Sequence, residues 1–203
     1  MLFLPGRSLQ VYRRHDSKFE DYLEYQKKVQ SKRGRLTKER KNRVNHINLM
    51  RSAFPKAQKV LCVGSRHPSE VEGIEQAGFE VIGIDLFSNS EKIMVLDMHQ
   101  VGEMWRKNRF DVAYMSHSLE HSYDPGVVLQ GVRKTCRMGA FIVLPMLLAP
   151  SKKETVVFDF MTRDDPAVEI IEAELEPLTG SVKIPWVKPC PILREIVFPL
   201  IWR

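Results

Sequence analysis

The sequence has 203 residues, of which 43% are hydrophobic and 28% are charged, with a net charge of +6; this is enough chain for one globular domain with a substantial core. Its three cysteines, Cys62, Cys136 and Cys190, lie far apart, which favours a reduced, cytoplasmic protein over a disulfide framework or a metal-binding pair. The first nine residues lack the basic flank and long apolar run of a secretory signal, and the longest apolar stretch, residues 140–150, is too short to span a bilayer. We therefore expect a soluble protein without membrane contact.

The positive charge is concentrated in the N-terminal quarter of the chain. Residues 1–58 contain 15 Lys/Arg and 5 Asp/Glu, whereas residues 59–203 contain 16 Lys/Arg and 20 Asp/Glu. This shift near Pro55 is the one marked change of composition along the sequence. It predicts a basic helical N-terminal extension over residues 1–56 and a second domain over residues 57–203.

Two helices are predicted in the extension. Ser17 and Glu20 form a capping box that begins the first helix, and Gly34 stands where that helix should end. The second helix should start at Thr37 and end before Pro55. Its predicted buried face consists of Val44, Ile47, Met50 and Phe54.

The segment Lys27–Arg43, between the two apolar faces, contains nine cations. Clustered cations can bind a nucleic acid, because they release counterions from its phosphates. A solvated helix pair that covers the mouth of a site explains the same pattern, since a run of charge is usually a solvent-exposed face. We favour the second interpretation, and nucleic-acid binding through Lys27–Arg43 stays open.

From Lys59 onward, short apolar runs alternate with helical patterns, which predicts an α/β fold: a Rossmann-like, doubly wound, mostly parallel sheet. The seven predicted strands cover residues 60–63, 81–84, 93–96, 110–115, 140–144, 156–160 and 196–201. The predicted helices cover residues 68–77, 101–105, 125–136 and 167–175. Pro68 suits the first position of its helix, Gly78 ends that helix, and Gly139 is predicted to turn the chain into the fifth strand.

A ligand site is expected at the carboxyl ends of these strands, because open parallel sheets bind ligands where the strand order reverses. Gly64 follows the first strand, and a glycine there lets the backbone approach a ligand without a Cβ in the way. Asp85 ends the second strand, 21 residues after Gly64, and can accept hydrogen bonds from both hydroxyls of a ribose. The glycine and the acid alone would suit NAD equally well.

The segments further along the chain resemble one enzyme family. Asp97-Met98 ends the third strand, RFDVAYMSHSLEHSYDP (109–125) runs from Phe-Asp through Leu-Glu-His to Asp-Pro, and CRMGAFIV (136–143) comes next. Together, residues 58–145 resemble the class I S-adenosylmethionine-dependent methyltransferases of the small-molecule type. The resemblance implies an antiparallel last strand, S-adenosylmethionine as cofactor and methyl transfer as activity.

The same resemblance implies a set of cofactor contacts. Asp97 would take the adenine amino group, and Met98 would line the adenine ring. The remaining expected contacts are Val63, Gly64, Ser65, Arg66, Glu70, Asp85, Leu86, Ser116 and His117.

The first glycine loop departs from the family pattern, which is an acid followed by Gly-x-Gly-x-Gly. Here Cys62 replaces the acid, and one glycine of the three remains. Arg66 can pair with the methionine carboxylate, helped by the amides at the start of the next helix, although an exposed loop arginine is the alternative interpretation. Glu70 can replace the missing acid toward the ammonium group.

Methyl transfer from a sulfonium needs a nucleophile in line with the methyl group, and a base only where the acceptor must lose a proton. His117 and His121 are the predicted catalytic residues, while a structural role in the loop is the alternative for His121. The Asn/Asp-Pro-Pro-aromatic motif of amino-directed enzymes is missing, and Pro189-Cys190 lies too far along the chain for a cytosine-C5 nucleophile pair. We therefore expect an oxygen or carboxylate acceptor, on a small or polymer-linked molecule, and no metal ion.

Two other functions stay open. A non-catalytic scaffold or a nucleic-acid-binding protein with this fold would explain the eroded glycine loop. A dinucleotide enzyme would explain Gly64 and Asp85, but the sequence lacks Gly-x-Gly-x-x-Gly at this point.

Overall fold

The computed structural model describes residues 10–13, 20, 23–24, 39–148, 154–158 and 195–201. Glu20, Leu23 and Glu24 are helical, as the prediction for the first helix requires. The rest of that helix, the cations from Lys27 to Lys38 and the helix predicted over residues 167–175 lie outside the described residues. The choice between a lid and a nucleic-acid face therefore stays a prediction.

Strands and helices alternate through the well-described part of the chain. The strands are β1 Gln10–Arg13, β2 Lys59–Val63, β3 Glu80–Asp85, β4 Ile93–Val95, β5 Phe110–Ser116, β6 Cys136–Leu148, β7 Glu154–Phe158 and β8 Glu195–Ile201. The helices are α1 Glu39–Ala53, α2 Pro68–Gln76, α3 Val101–Met104 and α4 Pro125–Thr135, with single helical turns at Met98–Gln100 and Leu119–His121. None of the helices in the described ranges combines the length and apolarity that crossing a bilayer requires.

Five parallel strands form the centre of the sheet, in the order β6-β5-β2-β3-β4. Strand β2 pairs with β3 on one side and with β5 on the other, so the strand order reverses beside β2. The predicted parallel α/β sheet is thus confirmed. Strand β8 pairs antiparallel with the first part of β6, and β7 pairs antiparallel with its last three residues.

The predicted count of seven strands is not confirmed, because eight strands are described. The additional strand, β1, lies near the start of the chain and pairs in parallel with β7. Its sequence, QVYR, is four residues long and carries no alternating pattern of sufficient length to predict a strand.

The core lies on both faces of the sheet, as strand alternation dictates. Leu61 and Val63 face the cluster that α4 covers, whereas Val60 and Cys62 face the cluster that α1 covers. These four side chains are almost completely buried, so β2 is the apolar centre of the domain.

Helix α1 packs directly onto the sheet. Ile47, Met50 and Phe54 are buried, as predicted, but Val44 is 54% exposed, so its predicted burial is wrong. His46 occupies the buried face one turn before Met50 instead. The domain boundary at residue 56 stays a prediction.

Of the two glycines that were predicted at the ends of elements, Gly78 lies where predicted and Gly139 does not. Gly78 has φ of 86° and ends α2 as predicted. Gly139 does not form the predicted turn, because α4 runs directly into β6 at Cys136 and Gly139 lies within the strand. It sits at a bulge, where β6 takes three steps from Cys136 against two on β5.

Asp111 joins three strands at the amino edge of the sheet. Its Oδ2 accepts hydrogen bonds from the backbone N–H groups of Gln58 (2.7 Å) and Lys59 (3.0 Å), and its Oδ1 accepts one from Arg137 Nε (2.5 Å). Burial opposes its ionisation, but these hydrogen bonds lower the pKa of Asp111 below the ordinary value. The Phe-Asp pair that begins β5 is therefore structural.

Replacing Asp111 with Asn should destabilise the fold by about 1–3 kcal/mol at pH 7, because an amide cannot satisfy the same three donors. Since the native pKa is lowered, the stability that the carboxylate contributes is present above the unfolded pKa of about 3.9 and is lost as the pH falls toward the native value. Urea unfolding of both proteins at several pH values checks this.

A matched control lies at the same edge of the sheet. The pair Lys59–Glu80 is 3.2 Å apart but largely solvent-exposed, so Glu80→Gln should change stability by less than about 1 kcal/mol. If Asp111→Asn behaved like this control at every pH, the three hydrogen bonds to Asp111 would not contribute to stability.

Candidate functional site

Polar residues gather at the carboxyl edge of the parallel sheet. Gly64 follows β2, Asp85 ends β3, Asp97 comes two residues after β4, and His117 follows β5. Because parallel strands end on the same edge, the four predicted positions share one side of the domain. Three of them, Gly64, Asp85 and His117, lie at the carboxyl ends of β2 and its two neighbours, where the strand order reverses, and Asp97 lies one strand further out.

The loop after β2 forms a tight turn. Gly64 has φ of 77°, and the amides of Gly64 and Ser65 both donate to the carbonyl of Ile84, at 2.8 and 2.9 Å. A Cβ on Gly64 would stand 2.3 Å from the Cβ of Ser118. The glycine is thus required by the backbone conformation and by contact with the loop after β5, rather than by an approaching ligand.

The neighbours of Gly64 point in different directions. Val63 belongs to the buried core, as does Cys62 on the opposite face of the sheet. The hydroxyl of Ser65 is buried against Gly83 and makes no hydrogen bond to the described residues. Cys62, which replaces the family's acid, and Ser65 therefore contribute to packing.

Two charged residues of this region remain accessible. Arg66 is half-buried, makes no ion pair within the described part of the chain and lies close enough to Asp85 to favour its ionised form. Glu70 lies in the first turn of α2, which begins with His67 as N-cap and Pro68 at the first helical position. Both side chains can therefore meet a charged ligand.

Asp85 carries a buried charge at the end of β3. It is 8% exposed, and its Oδ1 accepts a hydrogen bond from the amide of Phe87 at 2.9 Å, while Oδ2 has no hydrogen bond to the described residues. Burial raises the pKa of Asp85 against the opposing effects of that amide, Arg66 and His121. Leu86, next along the chain, is half-buried.

Asp97 is fixed by a residue that the sequence prediction missed. It caps the turn at Met98–Gln100, and its Oδ1 accepts from the backbone amide of His99 (2.9 Å) and from the ring Nδ1 of His99 (2.5 Å). Burial opposes ionisation, but the bonds from His99 lower the pKa of Asp97. Met98 packs against the core beside it.

The loop after β5 places the two predicted catalytic histidines differently. His117 has φ of 53°, in the left-handed region, and its side chain is 39% exposed. Its Nδ1 lies 3.5 Å from Oε1 of Glu120, which is itself buried. His121 is half-buried and lies near Asp85. Of the two, His117 is therefore the better placed to act on an acceptor, because it combines exposure with a carboxylate partner.

Ser116, a predicted contact, is half-buried at the end of β5. Two further residues of this loop, Ser118 and Glu120, were not predicted. Ser118 packs directly against Gly64. The sequence indicates Glu120 only as part of the Leu-Glu-His segment, although it is 3% exposed and its Oε2 has no hydrogen bond to the residues described. The only signal in the sequence was an acid three residues after His117.

These side chains fit S-adenosylmethionine by their chemistry. Asp85 offers an unused carboxylate oxygen to ribose hydroxyls, and Oδ2 of Asp97 is left over for an amino group. Arg66 offers a cation to the methionine carboxylate, and Glu70 offers an anion to the ammonium. Both halves of the cofactor thus find complementary groups.

A parallel sheet that reverses its order beside a glycine turn, with an acid at the end of the neighbouring strand, is typical of nucleotide-binding α/β domains of the Rossmann-like class. The family model described as a methyltransferase domain matches residues 25–171. The chain therefore belongs to this family of S-adenosylmethionine-dependent methyltransferases, as its resemblance to the class I enzymes predicted. No curated protein matches the sequence significantly.

Solved structures share the fold at low sequence identity. The 1,6-didemethyltoxoflavin-N1-methyltransferase of Burkholderia thailandensis, crystallised with 1,6-didemethyltoxoflavin and S-adenosylhomocysteine, is 16% identical, with a TM-score of 0.52 over 90% of this chain and 86% of that chain. A SAM-dependent methyltransferase from Archaeoglobus fulgidus is 18% identical, with a TM-score of 0.44 over 51% of each chain. The latter match thus spans about half of each protein.

The buried charge of Asp85 has a cost that stability measurements can detect. Because its native pKa is raised, the stability associated with this carboxyl is fully present below the unfolded pKa of about 3.9 and is lost as the pH rises through the native pKa. The neutral, isosteric Asp85→Asn protein should therefore be more stable than wild type at pH 7, with a difference that disappears below about pH 4. Thermal unfolding without ligand measures this.

Glu91→Gln, at an exposed position six residues further on, provides the control and should show no such difference. A lower stability of Asp85→Asn at pH 7 would mean that Arg66, His121 and the Phe87 amide outweigh the cost of burial.

Proposed function

We propose that this protein binds S-adenosylmethionine at the carboxyl edge of its sheet and transfers the methyl group to an oxygen or carboxylate acceptor. The observation that carries the proposal is Asp85: a buried carboxylate beside the strand-order reversal, with one oxygen left without a hydrogen bond among the described residues. A domain retains a costly buried charge of this kind where a ligand satisfies it. Membership of the methyltransferase-domain family supports the same conclusion.

The proposed binding roles divide between the two halves of the cofactor. Asp85 accepts from the ribose hydroxyls, Asp97 accepts from the adenine amino group, and Leu86 and Met98 line the ring. Arg66 binds the methionine carboxylate, and Glu70 faces the ammonium. The backbone of residues 63–65 and Ser116 borders the site between these groups.

The bound cofactor would supply an electrophilic methyl group on a positively charged sulfur. This chain's contribution is to orient the acceptor, exclude water and, for a hydroxyl acceptor, take up its proton. His117 is suited to the last task, because its imidazole is partly exposed and its Nδ1 lies 3.5 Å from the carboxylate of Glu120. The left-handed backbone of His117 holds the ring at the site, at a conformational cost that is common at functional positions.

The residues at the end of β5 support the proposed acceptor class. An amino-directed enzyme would carry Asn/Asp-Pro-Pro-aromatic there, whereas this chain reads Ser116-His117-Ser118. A histidine with a carboxylate partner suits a hydroxyl acceptor, and a carboxylate acceptor needs no base at all. We propose a small or polymer-linked acceptor of one of these two kinds.

Binding of S-adenosylhomocysteine tests the cofactor assignment. Asp85→Asn keeps the shape of the side chain but loses the charge, so calorimetry should show binding weakened by about 1.5–3 kcal/mol for each hydrogen bond to the carboxylate that is lost. Since this variant is expected to be the more stable protein, weaker binding cannot be attributed to unfolding. Glu91→Gln should bind like wild type.

Unchanged affinity in Asp85→Asn would contradict the ribose assignment. Absence of binding by wild type would favour the second candidate function, a non-catalytic scaffold. One observation supports that candidate: Cys62, which replaces the family's acid, is buried in the core on the α1 side and offers no charge to a ligand.

His117→Asn tests the proposed base. Asn tolerates the left-handed backbone, so the fold should be retained while the imidazole is removed. With a panel of small phenols, S-adenosylhomocysteine should form about 10²–10⁴-fold more slowly than with wild type, because the acceptor proton has no base. With a panel of small carboxylic acids the two proteins should react alike, since a carboxylate has no proton to lose. Equal losses for both panels would show that His117 does not act as a base.

A further inference from the structure

His99 connects two loops at the carboxyl edge of the sheet. On one side its Nδ1 binds Oδ1 of Asp97 at 2.5 Å, in the segment after β4. On the other side its Nε2 lies 2.8 Å from the hydroxyl of Ser122 and 3.3 Å from the backbone nitrogen of Asp124, in the segment that leads into α4. The ring is 7% exposed and stacks on Tyr123 with 3.6 Å between centroids and 15° between planes.

The hydrogen bonds favour one tautomer of the neutral ring. A backbone N–H can only donate, so the amide of Asp124 requires a lone pair on Nε2. The proton of a neutral imidazole is then on Nδ1, where it is donated to Asp97. Ser122 completes the arrangement, because its hydroxyl accepts from the Asp124 amide at 3.1 Å and can donate to Nε2.

The order Asp97, His99, Ser122 resembles a hydrolytic triad, but it does not provide a nucleophile. Ser122 is fully buried, and its oxygen is occupied by the Asp124 amide. The serine hydroxyl therefore cannot reach a substrate. The solvent-facing end of the network is Asp97, whose side chain is 23% exposed.

We propose that His99 is the positioning residue of the adenine site: it holds Asp97 ionised and in one orientation, so that Oδ2 faces the amino group of the cofactor. This inference rests on the proposed function. Both bonds from His99 go to Oδ1, and Oδ2 makes no hydrogen bond within the described ranges, so the carboxylate is rotationally fixed with a single acceptor left over. A fixed, ionised acceptor distinguishes an amino-purine from an oxo-purine, because an oxo group would leave Oδ2 without a donor.

Tyr123 and Ser122 determine where the histidine ring itself lies. The stacked phenol covers one face of the ring, and the two polar contacts at Nε2 fix its rotation. The orientation of the Asp97 carboxylate therefore depends on a segment about 25 residues further along the chain. Cofactor recognition after β4 and the start of α4 are coupled through one side chain.

The test is a comparison of two ligands by calorimetry with the full chain: S-adenosylhomocysteine and S-inosylhomocysteine, in which an oxo group replaces the adenine amino group. Wild type should prefer the first ligand by at least about tenfold. His99→Phe keeps an aromatic ring for Tyr123 and the backbone N–H bond to Asp97, but it loses the side-chain donor, so the preference should fall to about threefold or less. Thermal unfolding of each protein establishes that it is folded.

Two polar variants form a matched pair that does not depend on the stack. In His99→Asn the amide can occupy the position of Nδ1 and donate to Asp97, so the preference should stay within about threefold of wild type. In His99→Gln the amide reaches the position of Nε2 instead, so the preference should be lost as in His99→Phe. Loss in Phe and Gln with retention in Asn supports the proposal.

Other results overturn it in distinguishable ways. If all three variants keep the preference, Asp97 is oriented without His99; if all three lose affinity for both ligands equally, His99 only supports the fold. If wild type binds S-adenosylhomocysteine but shows no preference, the adenine inference fails while the proposed function stands. If wild type binds neither ligand, the proposed function fails and the inference fails with it.

Discussion

Gly64 and Ser118 lie so close together that the loop after β2 and the loop after β5 pack directly against each other. A Cβ on Gly64 would stand 2.3 Å from the serine Cβ, a distance that real side chains do not reach, and the glycine also needs its positive φ for the turn. The turn at Leu119–His121 directly follows this contact along the chain. In this turn His121 lies near Asp85 and Glu120 is buried.

Three carboxylates share this edge of the sheet, and each is compensated in a different way. Asp85 accepts one hydrogen bond from an amide and lies near more distant positive charges. These interactions are weaker than the effect of burial, so its pKa is raised. Asp97 receives two hydrogen bonds from His99, so its pKa is lowered in spite of burial. Glu120 is buried with the ring of His117 beside it. Asp85, whose support does not offset the cost of its burial, is the carboxylate that gains most from a ligand that donates hydrogen bonds.

The parts of the fold that were predictable depend on short-range patterns. Strands β2 to β6 and the caps of α2 follow from apolar runs bounded by Gly64, Asp85 and Pro68, which local sequence specifies. The position of Asp85 at the carboxyl edge was predictable for the same reason. Features that depend on distant segments were not: the four-residue strand β1 forms only because β7 is beside it, and Gly139 lies in a bulge because β5 sets the register.

Long-range side-chain contacts limited the prediction of the site in the same way. His99 was overlooked because its partners are Asp97, two residues before it, and Ser122, 23 residues after it. Nothing in the local sequence indicates that the second contact exists. The predicted site residues were therefore those that strand ends and family resemblance could indicate, whereas the residues that orient them required the packed structure.

The eroded glycine loop keeps its turn although it has only one of the family's three glycines. The turn depends on Gly64 and on two amides that donate to the Ile84 carbonyl, and neither feature involves the missing glycines. The substitutions instead change what the loop offers to a ligand: Cys62 is buried in place of the family's acid, and Arg66 brings a cation to a position where the family has a glycine. In the proposed binding mode the loop therefore has fewer groups for the methionine end of the cofactor, whereas Asp85 and Asp97 are assigned to the nucleoside end. Specificity in this protein should accordingly rest on the ribose and the adenine, with Arg66 as the main remaining contact for the methionine carboxylate.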